Sequence, residues 1–270
     1  MNGQRAVLYS FKNYNKYNGT LFYCFEYYCF AKKLDPAVEF LIFNINSQEL
    51  EEVKAVFKNK YQFDDNYLKD IKAVETIKEL YDLTLKSTLI LDIHTFNQIY
   101  FFLRSDIYCY SNVAHEMKRS EFKKIKYFGH YDYQNFDFNV KLKLNFEIFK
   151  PITKTNTEGI FVSSRKDNYN DFSLPESLKH LRPINKDKNS HYDNLYELFD
   201  TVYYYHSDLD TNNRLIPECF YYNKKIHIEF NGNYKDSIFL RYDDISKNGL
   251  IPYSLDENDV MLRSFLGMEG

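Results

Sequence analysis

Five side chains of suitable type for ligand chemistry fall within one stretch, Thr201 to Phe230, which reads TVYYYHSDLDTNNRLIPECFYYNKKIHIEF. They are His206, Ser207, Asp208, Arg214 and Glu218. A guanidinium pairs with phosphate oxygens and a carboxylate accepts from two vicinal hydroxyls, so the set suits an anion that carries hydroxyl groups. The local pattern places them. Thr201–Tyr205 is a β-branched and aromatic run, fit for a buried strand, that ends in the polar His206-Ser207-Asp208. Asp208–Asn213 holds two Asp and two Asn, residues of turns and helix caps, and Leu215–Tyr222 follows as a short helix with Pro217 in its first turn. Asn223-Lys224-Lys225 closes that helix, and Ile226–Phe230 alternates as a strand. In such a βαβ unit all five residues fall on the rim beyond the carboxyl ends of the strands, where the helix start adds partial positive charge.

Other candidates are scattered along the chain. Gly159–Ser164 is a strand that ends in two hydroxyls and is followed by Arg165-Lys166-Asp167, a combination that suits phosphate oxygens or, equally, a solvated loop. Ser87–Ile93 is an apolar strand whose carboxyl end offers Asp92, His94 and Thr95; an isolated His such as His94 is also a common structural hydrogen-bonder. Glu26 interrupts the apolar helix Leu21–Lys33, and an unpaired buried charge is costly. It is therefore read either as the partner of a neighbouring Lys or Arg, or as a cleft-facing acceptor or base. Met117–Lys126 is basic and leads into the aromatic-rich Tyr127–Asn139. That stretch suits either stacking on a single-stranded nucleic acid or a solvated helix running into an aromatic loop.

The elements that must position these residues alternate. Ala6–Phe11 reads as a strand, Lys12–Thr20 as a polar turn, Val38–Ile45 as a second strand, and Gln48–Lys60 as an amphipathic helix capped by Ser47. A helical pattern over Asn66–Leu80 precedes the strand Ser87–Ile93, after which Phe96–Arg104 reads as helix and Asp106–Tyr110 as strand. The first half is a β-α-β-α-(α)-β-α-β series of Rossmann type. Ser111–Thr157 links the halves, with the turn-rich Lys150–Thr157 as hinge. The second half restarts at Gly159–Ser164, passes through a loop Asp171–Asn189 broken by Pro175 and Pro183, and continues with a helix His191–Phe199. The unit described above follows, then a strand Ser237–Arg241 and a terminal helix Asp256–Phe265 that folds back across the first domain. The fold class expected is α/β, as two Rossmann-like domains, 1–150 and 151–270, facing each other across a cleft.

Composition sets bounds on the function. The 270 residues are 44% apolar and 27% charged, as in an ordinary globular protein, and the net charge of −3 argues against a chain whose main task is gripping polyanionic backbone. The 26 Tyr and 24 Phe without Trp occur beside many Asn and Lys, a bias that AT-rich codons explain without any binding role. Cys24, Cys29, Cys109 and Cys219 lack the close pairing of a zinc site and follow no secretory signal, so they are expected to be reduced core residues of a cytoplasmic protein. No apolar run reaches the roughly 20 residues that span a bilayer, so no stable membrane insertion is expected. GxGxxG, GxxxxGK[ST], GxSxG and HExxH are all missing, which withdraws support from the usual dinucleotide oxidoreductases, P-loop enzymes, hydrolases and zincins.

The doubled plan, with Tyr205-His206-Ser207-Asp208, Asn213-Arg214-Leu215-Ile216-Pro217-Glu218 and Phe220-Tyr221-Tyr222-Asn223-Lys224-Lys225-Ile226, resembles the nucleotide-sugar-binding half of GT-B glycosyltransferases. A weaker likeness is to the phage glucosyltransferases that modify DNA bases, with Leu91-Asp92-Ile93-His94 at the position of their base. The resemblance implies transfer of a sugar from a nucleotide-diphosphate donor without a metal or other cofactor. Glu218 would take the donor ribose and Arg214 the phosphates, with Ser164, Arg165, His206, Ser207 and Asp208 as further donor contacts. Asp92, His94 and then Glu26 would be the candidates for the base. The implied partners are a nucleotide sugar and an acceptor glycan, lipid-linked sugar or modified nucleic-acid base. The alternatives are a non-catalytic nucleotide- or protein-binding module and a nucleic-acid-directed protein.

Overall fold

The computed structural model describes residues 4–85, 87–103, 105–110, 125–129, 137–139, 146–163, 174–184, 192–206, 214–230 and 255–268. The chain divides into two compact units, one formed by residues 1–145 and 253–270 and the other by residues 146–252.

The first unit is built on a seven-stranded sheet in the order β3-β2-β1-β4-β5-β6-β7. Its strands are β1 (Arg5–Ser10), β2 (Glu39–Phe43), β3 (Ile71–Val74), β4 (Thr88–Asp92), β5 (Asp106–Tyr110), β6 (Ile125–Gly129) and β7 (Phe138–Asn139). All of these pairs are parallel, and the order reverses between β1 and β4, as in Rossmann-type sheets. Helix α1 (Gly19–Leu34) is buried from Leu21 through Lys32, as a sequence that is apolar nearly all round demands. Its Phe25 ring stacks on Phe57 of α2 (Ser47–Lys60) at 3.9 Å, and Tyr28 stacks on Phe40 of β2 at 5.6 Å. Aromatic richness therefore supplies this core.

Several elements differ from expectation. Asn46 rather than Ser47 caps α2, through a reciprocal capping box with Glu49. The helical pattern over Asn66–Leu80 resolves into a one-turn helix α3 (Asn66–Lys69), the strand β3, and helix α4 (Ile77–Thr84) capped by Thr76. Ile71 and Val74 are buried against β2, so edge pairing overrides the helix propensity of the Lys, Ala and Glu residues around them. Helix α5 (Ile93–Ile99) is shorter than predicted and passes into a 3-10 turn, Tyr100–Phe102. The end of the basic run is part of a sheet strand, Ile125–Gly129, with Tyr127 and Phe128 buried, while residues 117–124 and 130–136 of the basic and aromatic stretch lie outside the described residues.

The last helix of the chain, α7 (Leu255–Leu266), packs on this first unit, where Met261, Leu262, Phe265 and Leu266 are buried. Arg5 Nε donates to the Phe265 carbonyl at 3.0 Å, and Gly267 at φ +66 lets the chain leave the helix in the left-handed conformation.

The second unit holds a four-stranded parallel sheet in the order β11-β10-β8-β9. Its strands are β8 (Gly159–Ser163), β9 (Arg182–Ile184), β10 (Thr201–His206) and β11 (Lys225–Phe230). Strand β9 falls where a loop was expected. It carries Pro183, which a sheet accepts because β9 pairs on one side alone and so needs no donor on the other. Residues 192–197 form a 3-10 turn instead of the expected α-helix. Gly159 is required by close approach, since a Cβ there would meet the Leu198 carbonyl oxygen at 2.2 Å. Helix α6 (Leu215–Tyr221) links β10 to β11, and just beyond it Asn223 takes φ +53. Phe161 stacks on Phe199 at 5.3 Å at the centre of this core. The expected strand Ser237–Arg241 lies outside the described residues.

Candidate functional site

Strands β8 and β10 run parallel, with Ser163 opposite Tyr204. Arg214 occupies the position just before α6 and Glu218 lies in the first turn, one helical turn further on. Arg214 Nε and Nη2 reach Glu218 Oε1 at 3.0 and 2.9 Å. On the other carboxylate oxygen, Oε2 accepts from the Tyr196 hydroxyl at 2.5 Å. Both members of the ion pair are buried, their side chains 9% and 5% exposed. Neither charge would be tolerated there alone, because removing one partner of a buried pair leaves the other without compensation.

Aromatic packing fixes Tyr196. Its ring stacks on Tyr222 at 4.5 Å and meets Phe199 at 5.7 Å. Burial, and then the Glu218 charge, pushes the phenol of Tyr196 well above its ordinary value, so it remains a proton donor to the carboxylate. Tyr222 is raised for the same reasons in the same order and donates to the Lys150 carbonyl at 3.1 Å. Beneath the helix end, Lys224 is buried, donates to Thr155 Oγ1 at 3.0 Å and sits 5.6 Å over the Phe199 ring. Desolvation lowers its pKa, against an opposing pull from Asp200.

Of the residues nominated for donor contact, the structure thus brings Arg214 and Glu218 together. They are bonded to each other, and Glu218 is 4% exposed, so contact with a ligand requires that cluster to open. His206 closes β10, and Ser164, Arg165, Ser207 and Asp208 lie outside the described residues. The sequence does not single out Tyr196. Nothing in its spacing distinguishes it among 26 tyrosines, and its bond to Glu218 spans 22 positions.

The base candidates belong to the first unit. Asp92 ends β4, is 2% exposed, and accepts from the backbone amides of His94 at 2.9 Å and Thr95 at 3.3 Å. It is the N-cap of α5, a role its residue type and position predict as readily as catalysis. Thr95 Oγ1 in turn accepts from the Ser10 amide at 3.0 Å, and Ser10 Oγ donates to Gln98 at 2.9 Å, tying β1 to α5 at the point where the strand order reverses. His94 is exposed. Glu26 is buried in α1 and accepts from the Tyr61 hydroxyl at 2.6 Å. This phenol is a partner that the sequence did not suggest.

A cavity of about 360 Å³ opens at the amino-terminal edge of the first sheet, lined by Arg5, Asp106, Tyr108, Lys126 and Ser264 among others. Lys126 donates to Ser264 Oγ at 2.9 Å and to the Tyr108 hydroxyl at 3.3 Å, contacts that fasten α7 to the sheet. Among the described residues, no group of three or more His, Cys, Asp or Glu is arranged to hold a metal, and no helix is long and apolar enough to cross a membrane.

No protein family, curated protein or solved structure matches this chain.

Proposed function

We propose that the protein is a glycosyltransferase of GT-B type whose donor, a nucleotide-diphosphate sugar, binds at the second unit. The observation that carries this reading is the β10–α6–β11 unit of a parallel sheet, with Glu218 in the first turn of α6 and Arg214 just before the helix. Ligands of open α/β sheets bind beyond the carboxyl ends of such strands. The carboxylate takes the two ribose hydroxyls and the guanidinium takes the diphosphate, first to bind it and then to stabilise the charge it gains as leaving group. Of the three groups considered for the base, His94 is exposed and able to accept a proton from an acceptor hydroxyl, while Asp92 serves two amides and Glu26 a buried phenol.

That same engagement of Asp92 and Glu26 supports a second reading, a nucleotide-binding module without transferase activity. One assay separates the two. The protein is incubated with a panel of nucleotide sugars and diverse hydroxyl acceptors, and released nucleoside diphosphate is measured. Release dependent on Glu218 supports the transferase; binding of nucleotides in a thermal-shift screen without release supports the module. Failure of every nucleotide to bind contradicts both.

A further inference from the structure

We propose that the cavity at the amino-terminal edge of the first sheet binds a small phosphorylated molecule, and that this ligand clamps α7 to the sheet. The opening residues of β1, β4, β5 and β6 line the cavity together with the end of α7, and all of them belong to the first unit. Its volume of about 360 Å³ lies at the lower end of the roughly 300–1,000 Å³ of small-molecule sites. Open α/β sheets bind their principal ligand beyond the carboxyl ends of the strands, so an occupant of the opposite edge acts as an effector and not as a substrate.

The balance of donors and charge points to an anion. Lys126 Nζ donates to Ser264 Oγ and to the Tyr108 hydroxyl, and these two hydroxyls are bonded to each other at 2.8 Å. An ammonium carries three hydrogens and each hydroxyl one, so the triangle uses three of the five and leaves one of each kind to an acceptor from outside the protein. Water could accept from both, but it would not match the charge. Among the described residues no carboxylate lies within ion-pair distance of Lys126, whose other contacts are the ring faces of Tyr108 and Phe138 at 5.2 and 5.5 Å. Nor does the helix end call for this ammonium. The amides of Met268 and Gly267 return to the carbonyls of Arg263 and Ser264 at 2.8 and 3.1 Å, and Arg5 takes that of Phe265. Arg5 brings a second cation to the same cavity, with Nη1 3.6 Å from Asp35. The oxygens of a phosphate accept from ammonium, guanidinium and hydroxyl together, and so bridge strands and helix. Asp106, an acceptor in the same lining, suits a phosphate ester that carries hydroxyls better than the bare ion.

Glycerol phosphate, inorganic phosphate and glycerol are titrated calorimetrically into the intact protein at constant ionic strength. Glycerol phosphate is expected to bind tightest, inorganic phosphate more weakly and glycerol not at all. Hydrogen exchange of the wild-type protein locates the site. At ten times its Kd, glycerol phosphate is expected to slow about tenfold those amides of α7 that exchange through undocking of the helix, because a ligand of the docked state lowers the open population in that proportion. Lys126→Gln is expected to weaken glycerol phosphate about tenfold, as loss of a hydrogen bond to a charged group does, and Lys126→Arg to retain most of the affinity. Should Lys126→Gln fail to fold, the exchange pattern of the wild type still decides. Protection confined to the second unit, binding indifferent to Lys126→Gln, or no binding of either phosphate at millimolar concentration overturns the proposal.

Discussion

Asp92, the N-cap of α5 in the first unit, and Glu218, within α6 of the second, are both carboxylates that are almost fully buried, at 2% and 4% exposure. Their partners differ. Asp92 accepts from the amides of His94 and Thr95, which belong to the first turn of α5 and cannot leave without unwinding it. Glu218 accepts from the side chains of Arg214 and Tyr196. Burial alone does not distinguish the two carboxylates. The difference lies in whether the hydrogen bonds are made by backbone, and so are part of the fold, or by side chains.

This contrast is open to perturbation, and the broadest effect is expected in base. Burial raises the thiols of Cys24, Cys29, Cys109 and Cys219 well above their ordinary 9.0, so folding keeps protons that the unfolded chain releases. Their contribution is complete below pH 9 and is lost as pH rises beyond it, at roughly 1.4 kcal/mol per thiol for each pH unit. The raised phenols of Tyr9, Tyr14, Tyr28, Tyr67, Tyr196 and Tyr222 add to the loss above 10.0. Lys224 acts the other way, its lowered pKa adding stability as pH approaches 10.5, but among the described residues it is one group against ten. Three of the four thiols lie in the first unit, so urea unfolding followed by hydrogen exchange at pH 8 and pH 10 is expected to show that unit weakening more.

Glu218→Ala is expected to cost about 3–5 kcal/mol in urea unfolding, because it leaves the Arg214 guanidinium buried beside an apolar methyl. Tyr196→Phe and Tyr61→Phe each remove one hydrogen bond to a buried carboxylate, at about 1.5–3 kcal/mol. The smallest effect should come from Asp92. Its replacement by Ala costs about 0.5–2 kcal/mol as a lost cap, while Asp92→Asn should cost less, because Asn keeps one acceptor oxygen and loses one of the two amide bonds. A large destabilisation by Asp92→Asn would show that its charge matters beyond capping and would erase the contrast with Glu218.

The sequence made the contrast only half legible. Apolar and alternating runs located β1, β2, β4, β5, β8, β10 and β11 and helices α1 and α2, because these elements bury most of what their pattern shows. The short edge strands β3 and β9 escaped. Ile71–Val74 sits among good helix formers, Arg182–Ile184 contains a proline, and pairing with a neighbouring strand decides both. Strand β6 was hidden at the end of a basic run, where Lys126 obscured the buried Tyr127 and Phe128. At the site, Arg214 and Glu218 were readable because they belong to one local unit. Tyr196 and Tyr61, which hold the two buried glutamates, lie 22 and 35 positions from their partners, and no spacing rule reaches that far.

The central claim is that Glu218, and not Asp92, faces a ligand. Calorimetric titration of nucleoside diphosphates into the wild-type protein, Glu218→Gln and Asp92→Asn tests it most directly. The account predicts one nucleotide bound per chain in the wild type, at least about tenfold weaker binding in Glu218→Gln, and unchanged binding in Asp92→Asn. Absence of binding in the wild type, or equal binding in all three proteins, would contradict it.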